Sequence, residues 1–312
     1  MSAVIVAEDV GHVYKGGTVA LEQVSLEIGT GLFGLLGSNG AGKSTLMRII
    51  CTLLVPSAGR VTVDGLDVVR DRRQVRGLFG YLPQEFSAWR LQTVAEVLDT
   101  LAAMSGLTHR KQRAQRIDEV LESVGLAKVA HRKVKHLSGG MRRRLGVAQA
   151  LVHEPRILIV DEPTVGLDPE ERLRFRQLMS RLAADRVIVL STHIVADLGS
   201  GCSDIALLDR GRVEFRGSPT ELIERAAGAI VEVDVAGSGD AGLAERMEIV
   251  QQKSVDGRTT LRGVLRNGAV PNARAVDDIT LEEAYLAFMV GRGRHLDELD
   301  MSDREGEQPS SN

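Results

Sequence analysis

One glycine-rich stretch of the chain has the residue types and the spacing of a loop that binds phosphate groups. It consists of Gly37, Ser38, Asn39, Gly40, Ala41, Gly42, Lys43, Ser44 and Thr45. Glycines let the backbone curl so that successive N–H groups point at phosphate oxygens, and a helix that follows turns its positive end toward the same place. In this pattern the lysine reaches the β- and γ-phosphates, and the serine hydroxyl binds Mg²⁺. The stretch therefore predicts a site for a magnesium nucleotide, with Lys43 and Ser44 in these two roles.

The residues on either side of the loop favour the strand, loop and helix that this chemistry requires. The apolar run 32–36 is typical of a buried strand, and the run 46–50 is typical of the opening of a helix. A glycine turn before an ordinary helix would explain a shorter glycine motif. It does not explain the full pattern in this context, so we expect a phosphate-binding loop.

Two acidic residues follow another apolar run. The run 157–160 is apolar at every position, as in a strand buried on both faces of a parallel sheet, and it leads into Asp161 and Glu162. Open α/β sheets place their ligands at the carboxyl ends of such strands. There Asp161 can hold a metal ion, and Glu162 can orient or deprotonate a water molecule. Two acids could instead cap the next helix, but the phosphate loop favours the metal and the base.

Two further polar residues follow strand-like runs. Gln84 comes after the run 78–82, and His193 comes after the apolar run 187–190. Each residue alone would be taken for a surface glutamine or a structural histidine. Because both occupy strand ends comparable to that of Glu162, we expect them at the same edge of the sheet.

Tyr14 and Ser138 carry weaker signals. Tyr14 precedes a turn-prone Lys-Gly-Gly segment, and it could stack on an adenine ring or be a half-buried strand tyrosine. Its position leaves both interpretations open. Ser138 precedes two glycines and a helical run, so it is a good N-cap, and the helix that it begins offers a second anion site. The arginines at 142–144 favour a solvated helix face over a nucleic-acid surface.

The elements that position these residues belong to a mixed α/β chain. Short alternating runs between 3 and 36 and a hairpin signal at 60–65 predict an antiparallel β region. Apolar residues recur at helical spacing between 93 and 134, which predicts a helical insertion over about 85–152. The fully apolar runs predict parallel strands around that insertion.

The last part of the chain has a looser composition. Residues 226–296 contain an alternating run at 231–235 and a capping box at Thr280 before an amphipathic helix, which predicts a small accessory α+β module. Residues 297–312 are acidic and polar, as in a disordered tail. We therefore expect a large α/β domain over residues 1–225, followed by these two segments.

Composition argues against several classes of protein. The 312 residues carry a formal net charge of −3, which gives no sign of general nucleic-acid binding. Cys51 and Cys202 lie far apart, as expected of reduced core residues in the cytosol. No apolar run is long enough to span a bilayer, and the N-terminus has no signal-peptide pattern. Any membrane role would therefore require a separate membrane partner.

Taken together, these features resemble the ATP-binding subunit of ATP-binding cassette (ABC) transporters. The Leu-Ser-Gly-Gly at 137–140 precedes the strand that ends in Glu162, with Gln84 and His193 in family order. The phosphate loop alone is shared by many nucleotide hydrolases, and this signature distinguishes one family among them. The resemblance covers residues 3–225 and implies a P-loop NTPase core with an antiparallel β subdomain and a helical insertion.

The resemblance implies roles within the chain's own nucleotide site. Tyr14 corresponds to the aromatic residue that stacks on adenine, and Gln84 to the glutamine that senses Mg²⁺ and faces the membrane partner. The implied catalytic residues are Lys43, Glu162 and His193, and the implied metal ligands are Ser44, Gln84 and Asp161.

Other residues are implied to act across a dimer. Ser138, Gly139 and Gly140 match the signature motif that contacts the γ-phosphate of ATP on the opposite subunit, and Asp168 matches the loop that links the two sites. Met141 departs from the glutamine that many members carry, but it leaves Ser138 and the backbone donors in place. Since this chain contains every element of a half-site, a homodimer is the simplest arrangement, and a heterodimer stays open.

The implied function is to bind and hydrolyse ATP with Mg²⁺ and so to power an integral membrane permease. ATP would join two cassettes head to tail, and hydrolysis would separate them. Segments 141–144, 218–222 and 280–285 resemble cassettes of ABC-2-type drug and antibiotic exporters. The chain is then expected in the cytoplasm, at the inner face of the cell membrane, without nucleic acid. The alternative is a soluble ABC ATPase that acts on nucleic acid or the ribosome.

Overall fold

The computed structural model describes residues 4–198, 201–235, 242–243, 245–255, 258–266 and 268–294. Contacts within the chain define two compact units, which divide between Arg216 and Gly217. The division precedes residue 225, the expected end of the large domain, because the helix Pro219–Arg225 contacts the helix Leu281–Gly291. The expected tail at 297–312 lies outside the described residues.

The first unit contains two sheets and a set of helices. Its strands are β1 (Ile5–Val13), β2 (Val19–Ile28), β3 (Gly31–Leu36), β4 (Ala58–Val63), β5 (Leu66–Asp67), β6 (Phe79–Leu82), β7 (Ile157–Asp161), β8 (Val187–Thr192), β9 (Asp204–Asp209) and β10 (Arg212–Gly217). Its helices are α1 (Lys43–Ile50), α2 (Arg72–Leu78), α3 (Val94–Met104), α4 (Arg110–Ser123), α5 (Gly139–Leu151) and α6 (Pro169–Leu182).

The larger sheet has the strand order β10-β9-β3-β8-β7-β6. The pairings of β6 with β7, β7 with β8, and β8 with β3 are all parallel. Every residue of β7 and β8 is buried, as their continuous apolar sequences predict. Because parallel strands end at one edge, the residues that follow β3, β6, β7 and β8 are brought to the same side of the molecule.

The smaller sheet has the order β2-β1-β4-β5 and is antiparallel. Along β2, Val24, Leu26 and Ile28 are buried while the residues between them are exposed, which is the alternation read from the sequence. A core cluster joins this sheet to the inner face of α1, where Leu46 and Met47 are fully buried. The antiparallel sheet therefore supports the phosphate loop from behind.

Helix α1 begins at Lys43, earlier than the helix opening expected from the run 46–50. Gly42 has a φ of 106°, a left-handed conformation that ends the loop and allows helical geometry from the next residue. Lys43 and Ser44 thus belong to the first turn of the helix.

Helices α3, α4 and α5 form the predicted insertion between β6 and β7. Thr93 and Glu96 form a capping box at the start of α3, and Gly125 takes a left-handed φ of 69° just after α4. Within the described ranges, no helix combines the length and the apolar character needed to span a bilayer.

The second unit has a sheet with the order β12-β13-β11-β14 and two helices. Its elements are α7 (Pro219–Arg225), β11 (Ile230–Val235), β12 (Met247–Val255), β13 (Arg258–Leu265), β14 (Arg274–Ala275) and α8 (Leu281–Gly291). Thr280 forms the predicted capping box with Glu283 at the start of α8. Ser218 caps α7 and forms a capping box with Glu221. The edge strand β12 has a mostly exposed, polar second half, so its sequence lacks a clear alternation.

Two glycines of the first unit provide a matched test of packing. A Cβ atom at Gly80 in β6 would lie 2.1 Å from the backbone oxygen of Ala150, whereas one at Gly77 in α2 would meet nothing within 4 Å. We expect Gly80→Ala to lower the free energy of unfolding by about 1–3 kcal/mol, because β6 and α5 must move apart. Gly77→Ala should raise it by about 0.4–1 kcal/mol. Denaturant unfolding measures both, and equal values for the two variants would contradict this packing.

Candidate functional site

The phosphate loop between β3 and α1 is built from glycines at positions where the backbone is crowded or left-handed. A Cβ atom at Gly37 would lie 2.2 Å from the backbone oxygen of Leu208, and one at Gly42 would lie 2.5 Å from that of Ala20. Gly40 also takes a positive φ, 79°. Helix α1 has no side-chain cap, so its first N–H groups face the loop without a capping oxygen. This arrangement fits an anion such as a phosphate group.

Lys43 lies inside this loop rather than in solvent, with an exposed fraction of 5%. Its ammonium group donates hydrogen bonds to the backbone oxygens of Gly37, at 2.6 Å, and Ser38, at 3.1 Å. It also forms an ion pair with Glu162, with Nζ 3.0 Å from Oε1. The lysine is therefore held between the loop and the end of β7.

Glu162 is buried directly after β7, and its backbone has a positive φ of 45°. Such a conformation is uncommon for a residue with a side chain and is often found at functional sites. The Glu162 N–H group donates to the Ser191 hydroxyl at 3.2 Å, which fastens the residue to β8. The other carboxylate oxygen, Oε2, lies 2.7 Å from His193 Nδ1.

The contacts of Glu162 determine its charge state. Burial alone would raise the pKa of its carboxyl group, but the hydrogen bond with His193 and the Lys43 ammonium outweigh burial and hold that pKa below its ordinary value. The Glu162 side chain is therefore a carboxylate at neutral pH. A carboxylate in contact with both a lysine and a histidine can accept a proton from a water molecule that reaches it.

Asp161 ends β7 and lies beside the first turn of α1. Its Oδ1 atom accepts a hydrogen bond from the Ser191 hydroxyl at 2.6 Å. Burial raises the pKa of Asp161, and hydrogen bonds from Ser191 and Ser44 oppose part of that rise. The hydroxyl of Ser44 and the carboxylate of Asp161 are thus neighbours.

This pair of oxygen donors fits Mg²⁺. Magnesium prefers oxygen ligands and is commonly held by one or two carboxylates together with substrate phosphates and water. In the part of the chain that the structure describes, no three His, Cys, Asp or Glu side chains form a cluster that could hold a metal alone. Ser44 and Asp161 therefore suit a metal ion that arrives with a phosphorylated ligand.

Tyr14 directly follows β1, and its side chain is 36% exposed. Its hydroxyl lies 3.0 Å from the Thr45 hydroxyl, and its ring meets the His12 ring edge to face at 4.7 Å. These contacts place an aromatic side chain beside helix α1 and the loop.

The remaining predicted residues gather in a second group around the start of α5. Ser138 caps that helix by accepting from the Met141 N–H at 3.1 Å, and Asp168 caps α6 by accepting from the Glu171 N–H at 2.9 Å. A Cβ atom at Gly140 would lie 2.0 Å from a carboxylate oxygen of Glu171, so the two helix starts are close.

Gln84 belongs to this second group. It lines a cleft of about 510 Å³ together with Gly139 and residues 165–167. Gln84 therefore lies at the start of α5, the helix that carries the signature residues Ser138, Gly139 and Gly140. Ser44 and Asp161 lie together at the phosphate loop.

Arg143 corrects one expectation from the sequence. We expected residues 142–144 to form a solvated helix face, but the Arg143 guanidinium is half-buried and donates to the backbone oxygens of Pro83, Gln84, Asp161, Glu162 and Pro163. The signal that could have revealed it is its spacing. Arg143 lies three residues after Gly140 and four before Val147, both buried, and so shares their face of α5.

A buried polar cluster behind the site was also not predicted from the sequence. The Asp197 carboxylate is buried and accepts hydrogen bonds from the hydroxyls of Thr164 and Thr192. These two threonines follow Glu162 and precede His193, so the cluster ties the turns that carry the two residues. Asp197 ends a short 3₁₀ helix, Val195–Asp197, and a lone aspartate there gives no sequence pattern from which this contact could be predicted.

A parallel sheet that ends in this loop, with a buried lysine against strand-end carboxylates, defines a P-loop nucleoside triphosphate hydrolase. A family model described as ABC transporter matches residues 21–165. The linearmycin resistance ATP-binding protein LnrL of Bacillus subtilis (strain 168) is 35% identical over 240 residues, which cover 76% of each chain. The daunorubicin resistance ATP-binding protein DrrA3 of Streptomyces coeruleorubidus is 37% identical over 231 residues, 73% of each chain.

A solved structure gives the same result for the fold. The dimeric post-hydrolysis state of the ATP-binding cassette MJ0796, bound to ADP and Pi, superposes with a TM-score of 0.61 at 28% identity. The match covers 69% of this chain and 98% of that one. The chain therefore belongs to the ABC transporter family, as an ATP-binding subunit that hydrolyses ATP.

Proposed function

We propose that this chain powers an exporter by hydrolysing ATP at the site formed by Lys43, Asp161, Glu162 and His193. The contact of one carboxylate with both the loop lysine and the strand-end histidine carries this proposal. It joins the three residues proposed for catalysis: Glu162 and His193 follow adjacent strands, and Lys43 lies in the first turn of α1.

The proposed roles follow from the contacts. The loop N–H groups and Lys43 bind the β- and γ-phosphates. Ser44 and Asp161 hold Mg²⁺, which when bound neutralises charge on the phosphate oxygens. Tyr14 presents its ring to the adenine.

Glu162 acts as the base. Its carboxylate accepts the proton of the attacking water, while His193 fixes the orientation of the second carboxylate oxygen. In the described structure Lys43 neutralises this carboxylate, so the lysine must turn toward the phosphates before Glu162 can act. We propose this exchange of partners as the step that makes the base available only after the nucleotide is bound.

A second cassette completes the proposed site. Helix α5 begins with Ser138 and two glycines but contains no lysine at its start, so it can complete a phosphate site and is not suited to hold one alone. Ser138 and the glycines therefore contact the γ-phosphate of the opposite subunit, and Asp168 lies at the junction of the two sites. Met141 replaces the usual glutamine without removing the Ser138 hydroxyl. Since one chain contains both halves, a homodimer is proposed.

The membrane partner is proposed to bind beside Gln84. Phe86 lines the same cleft as Gln84, and the nearby Trp89 and Leu91 are 48% and 74% exposed. Large apolar side chains so exposed in one segment are typical of a contact surface. A separate permease that binds here would hold the cassette at the inner face of the membrane. The relatives named for linearmycin and daunorubicin resistance support an antibiotic or drug as cargo.

Glu162→Gln should bind ATP at least as tightly as the native chain, because the loop is unchanged and Lys43 is released from its ion pair. It should lose ATP turnover by about 10²–10⁴-fold, because the base is removed. Phosphate release and equilibrium ATP titration measure the two effects. With ATP the variant should form a dimer by light scattering, and adding Ser138→Arg should abolish that dimer.

Glu122→Gln, at an exposed glutamate of α4, is the control for a lost carboxylate and should turn over ATP normally. Near-normal turnover by Glu162→Gln would remove Glu162 from the proposed role. A dimer that persists after Ser138→Arg would contradict the contact across the dimer.

Affinity purification of the tagged chain from detergent-solubilised native membranes tests the partner. We expect a polytopic membrane protein to co-purify in stoichiometric amounts, and Trp89→Glu to prevent this by placing a charge on the apolar surface. Met104→Glu is the matched control, because Met104 is 76% exposed on the same helical insertion. Recovery of soluble or ribosomal partners alone would contradict the proposed role in export. It would not affect the assignment of ATP hydrolysis.

A further inference from the structure

The guanidinium group of Arg143 contacts an unusual set of acceptors. Nε donates to the Pro163 oxygen at 2.8 Å, Nη1 to those of Pro83 and Gln84 at 3.3 and 2.8 Å, and Nη2 to those of Asp161 and Glu162 at 3.0 and 2.6 Å. All of these acceptors are backbone oxygens. One side chain of α5 therefore holds the chain at the ends of both β6 and β7.

These oxygens lie where the ladder between β6 and β7 stops. That pairing ends at Leu82 and Val160, whereas β7 still pairs with β8 at Asp161. Carbonyl groups that lie beyond the end of the β6–β7 ladder must find other partners. The planar guanidinium meets this need because its five N–H donors point outward in fixed directions. A lysine has three donors on one nitrogen and cannot reach the same set.

Arg143 also fixes the strained backbone of Glu162. The Glu162 N–H group is held by Ser191 on β8, and its carbonyl oxygen is held by Arg143, on either side of a φ of 45°. A residue in this region of φ stays there only when its surroundings hold it. The direction of the Glu162 carboxylate therefore depends on both contacts.

The same helix begins with Ser138, five residues before Arg143. The Arg143 side chain therefore connects the first turns of α5 to the backbone of Gln84 and Glu162. Burial lowers the pKa of Arg143, and the nearby carboxylates of Asp161 and Glu162 oppose part of that lowering.

We infer that Arg143 is a positioning residue for ATP hydrolysis, which aligns Glu162 and couples it to the signature helix and to the Gln84 loop of the same chain. The inference rests on the proposed role of Glu162 as the base. Arg143 itself lies behind the strand ends and acts only through the residues whose backbone it holds.

The test compares Arg143→Gln and Arg143→Lys with Arg116→Gln in the full chain. Arg116 is a matched control, because it is also half-buried and donates to backbone oxygens, those of Leu151 and Val152 at the other end of α5. Thermal unfolding, kcat and KM for MgATP, and the affinity for ADP are measured for each variant. Both glutamine variants should be less stable than the native chain.

Only the Arg143 variants should change the chemistry. We expect Arg143→Gln to lower kcat by roughly 10- to 100-fold, because a misplaced base costs about this much, with KM and ADP affinity changed less than about threefold. Arg143→Lys should recover part of that loss, and Arg116→Gln should keep kcat within about twofold. In the Glu162→Gln background, Arg143→Gln should have little further effect, because the two residues act as a unit.

A kcat for Arg143→Gln equal to that of Arg116→Gln would overturn the inference. So would a double variant whose loss of kcat equals the product of the losses in Arg143→Gln and Glu162→Gln. If Arg143→Gln does not fold, the kcat of Arg143→Lys decides in the same way. Normal turnover by Glu162→Gln alone would refute the base and, with it, this inference. Lost turnover in Glu162→Gln with normal turnover in Arg143→Gln would refute only the role of Arg143.

Discussion

The buried ion pair between Lys43 and Glu162 is the interaction on which the site depends. The two side chains are only 5% and 4% exposed, and removal of one partner from such a pair typically costs about 3–5 kcal/mol, because a charge is left buried and unpaired. Polar groups in fixed positions stabilise the two buried charges. Backbone oxygens of Gly37 and Ser38 hold the ammonium, and His193 holds the second carboxylate oxygen. The phosphate loop and the ends of β7 and β8 must therefore lie close together, in fixed relative positions.

The parallel sheet fixes these relative positions and also separates two groups of residues. The loop, Asp161, Glu162 and His193 lie at the ends of adjacent strands, while the Ser138 helix and Gln84 surround a different cleft. Under the proposed function, the first group is the nucleotide site and the second is the surface for another cassette. The Arg143 guanidinium contacts the backbone of both.

Local patterns were sufficient to predict the parts of this site that depend on chain order. The glycine loop, the fully apolar runs before Asp161 and His193, and the serine cap of α5 all have a signature within a few residues. Contacts between distant segments have no such signature. The hydrogen bonds of Arg143 and the buried Asp197 cluster join segments separated by many residues, and the start of α1 depends on a backbone angle of Gly42. The sequence alone could place Arg143 on a helix but could not show which carbonyl groups would lie beside it.

The most direct test of the Lys43–Glu162 contact is a double-mutant cycle on the affinity for a non-hydrolysable ATP analogue with Mg²⁺. The native chain, Lys43→Ala, Glu162→Gln and the double variant are titrated under the same conditions. If Glu162 holds Lys43 in the free protein, Glu162→Gln should tighten binding, and that gain should shrink in the Lys43→Ala background by a coupling of at least about 0.5 kcal/mol. Equal effects of Glu162→Gln in both backgrounds would show that the two side chains act independently and would contradict this account.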